Sequence, residues 1–76
     1  MTWRDIEKLM REDHFDVCVE PRRSGNKYWL RQRGNVHYPI SSPQFDRLLE
    51  GGYIDPDYRV EHNGLYGAEE MVYRGR

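Results

Sequence analysis

The chain has only one cysteine, Cys18, which excludes an intramolecular disulfide and any cysteine-based zinc cluster. No apolar run approaches the ~18 residues that a membrane-crossing helix needs, and no signal-peptide pattern opens the chain. The expectation is a soluble cytoplasmic protein with no membrane partner. Three histidines, His14, His37 and His62, lie too far apart for a metal-ligating spacing, so neither a metal nor another cofactor is expected. Bases and acids almost cancel, leaving a net charge of −1, so the overall basic field of most nucleic-acid binders is missing. Also missing are internal repeats, low-complexity tracts and any catalytic constellation. That points away from an enzyme and from a small-molecule substrate.

What is present describes one small domain spanning residues 1–76. A chain this short buries roughly 60% of its unfolded surface, so the stability margin is thin. Apolar residues make up 37% and charged residues 33% of the composition. Aromatics still reach 13%, with six tyrosines, and the apolar positions are patterned, which argues for a folded core over disorder.

Thr2 to Asp13 reads as a first helix. Thr2 serves as N-cap with Asp5 completing a capping-box-like pair, and Trp3, Ile6, Leu9 and Met10 form one apolar stripe. The helix should stop near His14, with Phe15 tucked back beneath it. Asp16 to Glu20 alternates as a short strand, Val17 and Val19 on one face and a half-buried Cys18 on the other. After Pro21 and a loop containing Gly25, Lys27 to Gln32 forms a second strand. Tyr28 and Leu30 share one face of it, and Lys27, Trp29 and Arg31 share the other.

Arg33-Gly34-Asn35 reads as a tight turn into a third strand with Val36, Tyr38 and Ile40 on one face. Pro39 has no N–H, so its position must sit on an edge or turn the missing donor to solvent. Ser41-Ser42-Pro43-Gln44 is the strongest helix-start signal, followed by Phe45, Leu48 and Leu49 at i, i+3, i+4 and a stop at Gly51-Gly52. Tyr53 and Ile54 return to the core, and Asp55-Pro56-Asp57 forms a turn. Tyr58 to Glu61 and Leu65 to Tyr73 then flank Asn63-Gly64 as an appended hairpin, with a bulge or early fray at Gly67-Ala68. The order is α-β-β-β-α plus a C-terminal hairpin. The expected fold is α+β, a small two-layer sandwich with an antiparallel sheet and both helices on one face.

Charge is segregated along this order. From Arg22 to Arg33 there are five bases and no acid, whereas from Asp46 onward seven acids face four bases. With Tyr28 and Leu30 turned to the helices, Lys27, Trp29 and Arg31 project from the other sheet face, joined by His37. Arg22, Arg23 and Arg33 sit in the loops at its ends. Trp among arginines suits a protein interface, where both are enriched, or stacking on a nucleobase; the other reading packs Trp29 under the C-terminal hairpin and leaves the arginines as a solvated rim. The candidate partner-binding residues are therefore Arg22, Arg23, Lys27, Trp29, Arg31, Arg33 and His37.

The order helix, strand, glycine-bearing loop, strand, turn, strand, helix resembles the HicA-type toxin fold, a relative of the double-stranded-RNA-binding domain. The segment TWRDIEKLMRED stands where that family has its first helix, and RRSGNKYWLRQ where it has its glycine-led strand. The resemblance covers residues 2–49. That family carries its catalytic histidine just after the glycine; here Asn26 and Lys27 occupy those positions, so the resemblance implies the shape without the activity. In size, tyrosine content and charge segregation the chain also resembles small phage or mobile-element accessory proteins, including anti-CRISPR inhibitors. These likenesses lead to two expectations. The first is a non-enzymatic protein-binding module that inhibits a host nucleoprotein defence complex. The alternative is a nucleic-acid-binding module of HicA-like or double-stranded-RNA-binding shape that uses the basic Arg22–Arg33 segment.

Overall fold

A computed structural model of the chain describes residues 1–32, 36–62 and 69–76. Two helices and five strands follow in the order α1 (Trp3–Asp13), β1 (Asp16–Glu20), β2 (Lys27–Gln32), β3 (Val36–Ile40), α2 (Ser42–Glu50), β4 (Arg59–Glu61) and β5 (Glu70–Tyr73). The strands form one sheet in the order β3-β2-β1-β5-β4, and every neighbouring pair is antiparallel. The fold is α+β, as the patterning predicts. The proposed turns at Arg33-Gly34-Asn35 and Asn63-Gly64, the bulge at Gly67-Ala68 and the strand start at Leu65 lie outside the described residues.

Both helices begin where the cap chemistry places them. The Asp5 N–H donates to Thr2 Oγ1 and the Thr2 N–H to Asp5 Oδ2, each at 3.3 Å, closing a reciprocal box. Hydrogen bonds from Thr2 hold the Asp5 carboxyl below its ordinary value. Ser41 and Gln44 repeat the arrangement at α2, with Pro43 in the first turn. α1 ends on His14, whose left-handed φ of 50° breaks the helical path. α2 ends in a Schellman motif: the Tyr53 N–H donates to the Leu48 carbonyl and the Gly52 N–H to that of Leu49, with Gly52 at φ +73°.

The register fixes which side chains share a face. Val17 stands opposite Leu30, and Leu30 opposite Tyr38; Val19 stands opposite Tyr28, and Tyr28 opposite Ile40. Val17, Val19 and Leu30 join Ile6 and Met10 of α1, Phe45 and Leu48 of α2, and Phe15 and Ile54 in one buried cluster. Phe45 anchors α2 over the sheet, its ring 5.0 Å from Tyr28 and 5.1 Å from Tyr73. At the outer end of the helices, Trp3 meets Tyr53 edge-on at 5.5 Å, and the Arg47 guanidinium lies 4.2 Å over the Trp3 ring.

The C-terminal strands do not form an appendage. β5 pairs with β1, which makes β1 the central strand and β4 the far edge. The β4 strand begins at Arg59, one residue later than its pattern indicates, and Tyr58 and Val60 are exposed. Because β5 flanks β1, Cys18 lies between Trp29 and Val72 on the face opposite the buried cluster and is fully buried, not half-buried. Pro39 sits on β3, an edge strand, where a missing N–H costs no ladder bond to an outer neighbour.

Candidate partner-binding groove

The sheet face carrying Cys18 is built from alternate residues of every strand. Cys18 stands opposite both Trp29 and Val72, Trp29 opposite Pro39, Arg31 opposite both Asp16 and His37, and Glu61 opposite Glu70. Trp29, Arg31 and His37 therefore share one face, as strand alternation requires. Tyr28 and Tyr38 belong to the other.

Towards β4 and β5 this face is an ion-pair lattice. Arg31 reaches Glu61 at 3.5 Å through Nη2 and Glu70 at 3.7 Å through Nη1. Arg59 in turn bonds Glu61 at 2.6 Å and approaches Asp16 at 3.8 Å. Glu70 is a buried carboxylate; burial pushes its pKa above the ordinary 4.5, against the pull of the Arg31 guanidinium. Arg31 is thus committed inside the fold, bridging β2 to β4 and β5.

Towards β3 the same face runs into an open groove of about 620 Å³ between the β1–β2 loop and the start of α2. Arg22, Lys27, Trp29 and His37 line it, four of the seven residues marked by sequence. Glu20, Asn26, Pro39, Ser41 and Ser42 line it too, together with Tyr28 and Ile40, which alternate to the other face. Trp29 is half-buried, with its ring stacked on His37 at 6.4 Å and 28°. The indole N–H is shielded from solvent and has no acceptor among the described residues. Lys27 and His37 are exposed, and Arg22 pairs with Glu20 at 3.3 Å.

Arg23 is exposed in the loop and lies outside the groove lining. Arg33 lies outside the described residues. No sequence motif marks the serines and Asn26 as site residues, because the α2 start and the β1–β2 loop lie far apart in the chain and meet only in the folded groove.

Cys18 contributes no reactive group. Its thiol is desolvated by burial and pushed up to about 12, so it stays protonated at neutral pH. Among the described residues no set of three or more His, Cys, Asp or Glu side chains is placed to hold a metal ion. No helix among them is long and apolar enough to cross a membrane. No protein family, curated protein or solved structure matches the chain.

Proposed function

We propose that the protein is a non-enzymatic module that binds another protein through the groove beside β3, with Trp29 as its apolar anchor. One observation carries this reading: the groove joins a half-buried tryptophan to Lys27 and His37, while two of the four described cations of the basic segment already face acids of the chain. Arg31 is held by Glu61 and Glu70, and Arg22 by Glu20. Among the described residues of the basic segment, Arg23 and Lys27 are the cations left without an acid. Two such charges make a poor track for a nucleic-acid backbone, whose binding rests on many phosphate contacts. A protein interface needs few charges around a buried aromatic centre. The proposal includes the partner class favoured by sequence, a subunit of a host nucleoprotein complex that the module inhibits by occupying its surface.

The test is capture from a lysate of the source cells on immobilised protein, with and without nuclease. A partner retained after nuclease, and lost with Lys27→Glu, is expected. Lys27 is exposed but stands opposite Glu20, so the variant should lose at most about 1 kcal/mol to the new like-charge pair, and a thermal melt beside the capture checks that it is folded. Capture that disappears entirely with nuclease would replace this reading with the nucleic-acid one.

A further inference from the structure

Cations outnumber acids in the groove by two to one, Arg22 and Lys27 against Glu20. Glu20, its one acidic lining residue, stands opposite Lys27 across β1 and β2 but makes its ion pair with Arg22 at 3.3 Å, and among the described residues no acid lies within ion-pair distance of the Lys27 ammonium. The groove wall continues into Ser41 and Ser42, the N-cap and first residue of the nine-residue helix α2. That helix has no acid in its first turn, whereas α1 has Asp5 in the same place.

Its backbone donors can be accounted for one by one. Gln44 N–H goes to the Ser41 hydroxyl, Phe45 N–H goes to the Ser41 carbonyl, and Pro43 has none, which leaves Ser42 N–H. The positive end of a helix and a lysine therefore converge on one groove whose adjacent wall, Trp29 and Pro39, is apolar.

We propose that the groove accepts an acidic peptide segment of the protein partner. A carboxylate lies between Lys27 and the start of α2, and the neighbouring apolar side chain packs on Trp29 and Pro39. This rests on the protein-binding reading and adds the chemistry of the bound segment. Two cations against one acid suit one or two carboxylates and not a phosphate at every residue. A free inorganic anion would leave the apolar wall unused, in a groove large enough for several side chains.

The experiment is an NMR titration of the full-length, isotope-labelled protein with four probes. These are a short peptide of alternating glutamate and leucine, the same peptide with lysine for glutamate, inorganic phosphate, and a single-stranded DNA oligonucleotide. The glutamate peptide should shift the Trp29 indole and the Lys27 and Ser42 amide signals, with affinity falling at least about threefold as salt is raised. Lys27→Glu should abolish those shifts. Ser42→Asp should weaken binding while leaving the helix intact or firmer, since an acid at that end favours the helix but repels a carboxylate.

Equal shifts with the lysine peptide or with phosphate, tighter binding of the oligonucleotide, or no groove shift at about 5 mM glutamate peptide would each overturn the proposal. Nuclease-resistant capture of a partner alongside a silent groove would overturn this inference and leave the binding-module reading standing.

Discussion

At Gly75 the C-terminal segment passes so close to the start of β1 that a Cβ would overlap the Phe15 carbonyl oxygen. The Gly75 N–H bonds Asp16 Oδ1 at 3.0 Å, and Gly75 bridges to Ile54, so the contact holds chain end and core together. Gly75→Ala should therefore cost about 1–3 kcal/mol in urea unfolding, because backbone cannot yield as a flexible side chain does. An unchanged midpoint would show that the C-terminus does not dock there. Cys18 gives a second residue-level expectation. Its folded pKa, near 12, stands above the ordinary 9.0, so the folded state holds the proton more tightly than the unfolded state. The associated stability is fully present below pH 9.0 and is lost as pH rises toward about 12, with a slope of at most about 1.4 kcal/mol per pH unit. Tyr53 and Tyr73 act in the same direction, Tyr53 chiefly through its hydrogen bond to Glu7 and Tyr73 through burial. In the alkaline melt, Cys18→Ala should flatten this loss, and the native thiol should resist alkylation at neutral pH. Rapid labelling without unfolding would contradict the burial.

The elements themselves differ in what sustains them. α1 and α2 start on reciprocal caps, local devices each worth about 1 kcal/mol, so Ser41→Ala should lower stability by roughly that amount. Packing contributes more. Leu48 is fully buried among Ile6, Leu30 and Phe45, and Leu48→Ala should cost about 2–5 kcal/mol by chemical denaturation. A loss below about 1 kcal/mol would mean that α2 does not pack on the sheet as described. β3 depends on a single neighbour, β2, and its Pro39 blunts the free edge against further strand pairing.

Across the whole molecule, Arg31 ties β2 to β4 and β5 through Glu61 and Glu70. Its removal leaves the Glu70 carboxylate buried without its guanidinium, at a cost of roughly 2–4 kcal/mol near neutral pH. Burial already raises the Glu70 pKa, and losing Arg31 raises it further. A carboxyl whose folded pKa exceeds its unfolded one favours the native state when protonated. The deficit of Arg31→Ala should therefore be full above the raised folded pKa and shrink as pH falls toward 4.5, the ordinary glutamate value. Thermal melts of Arg31→Ala and wild type across that range check this. A deficit that stays constant with pH would mean that Glu70 is not its source.

By itself the sequence determined the local features: both helix starts and stops, the bounds of the first three strands, and the alternation that puts Trp29, Arg31 and His37 on one face. Each follows from side chains and backbone groups within a few residues of one another, where caps, turns and strand periodicity act. The nonlocal features were decided only in three dimensions. Pairing of β5 with β1 was invisible, because strand partners distant in sequence are chosen by total burial and not by any local code. From that pairing follow the burial of Cys18 and Glu70 and the commitment of Arg31 to an internal network, which sequence had left free for a partner. The groove is a mixed case: the return of β3 beside β2 was legible, but not that the start of α2 comes to rest in one groove with Lys27 and Trp29. The residues of a site could be read from the chain, but their charge balance could not, since it depends on which acids the fold brings within reach.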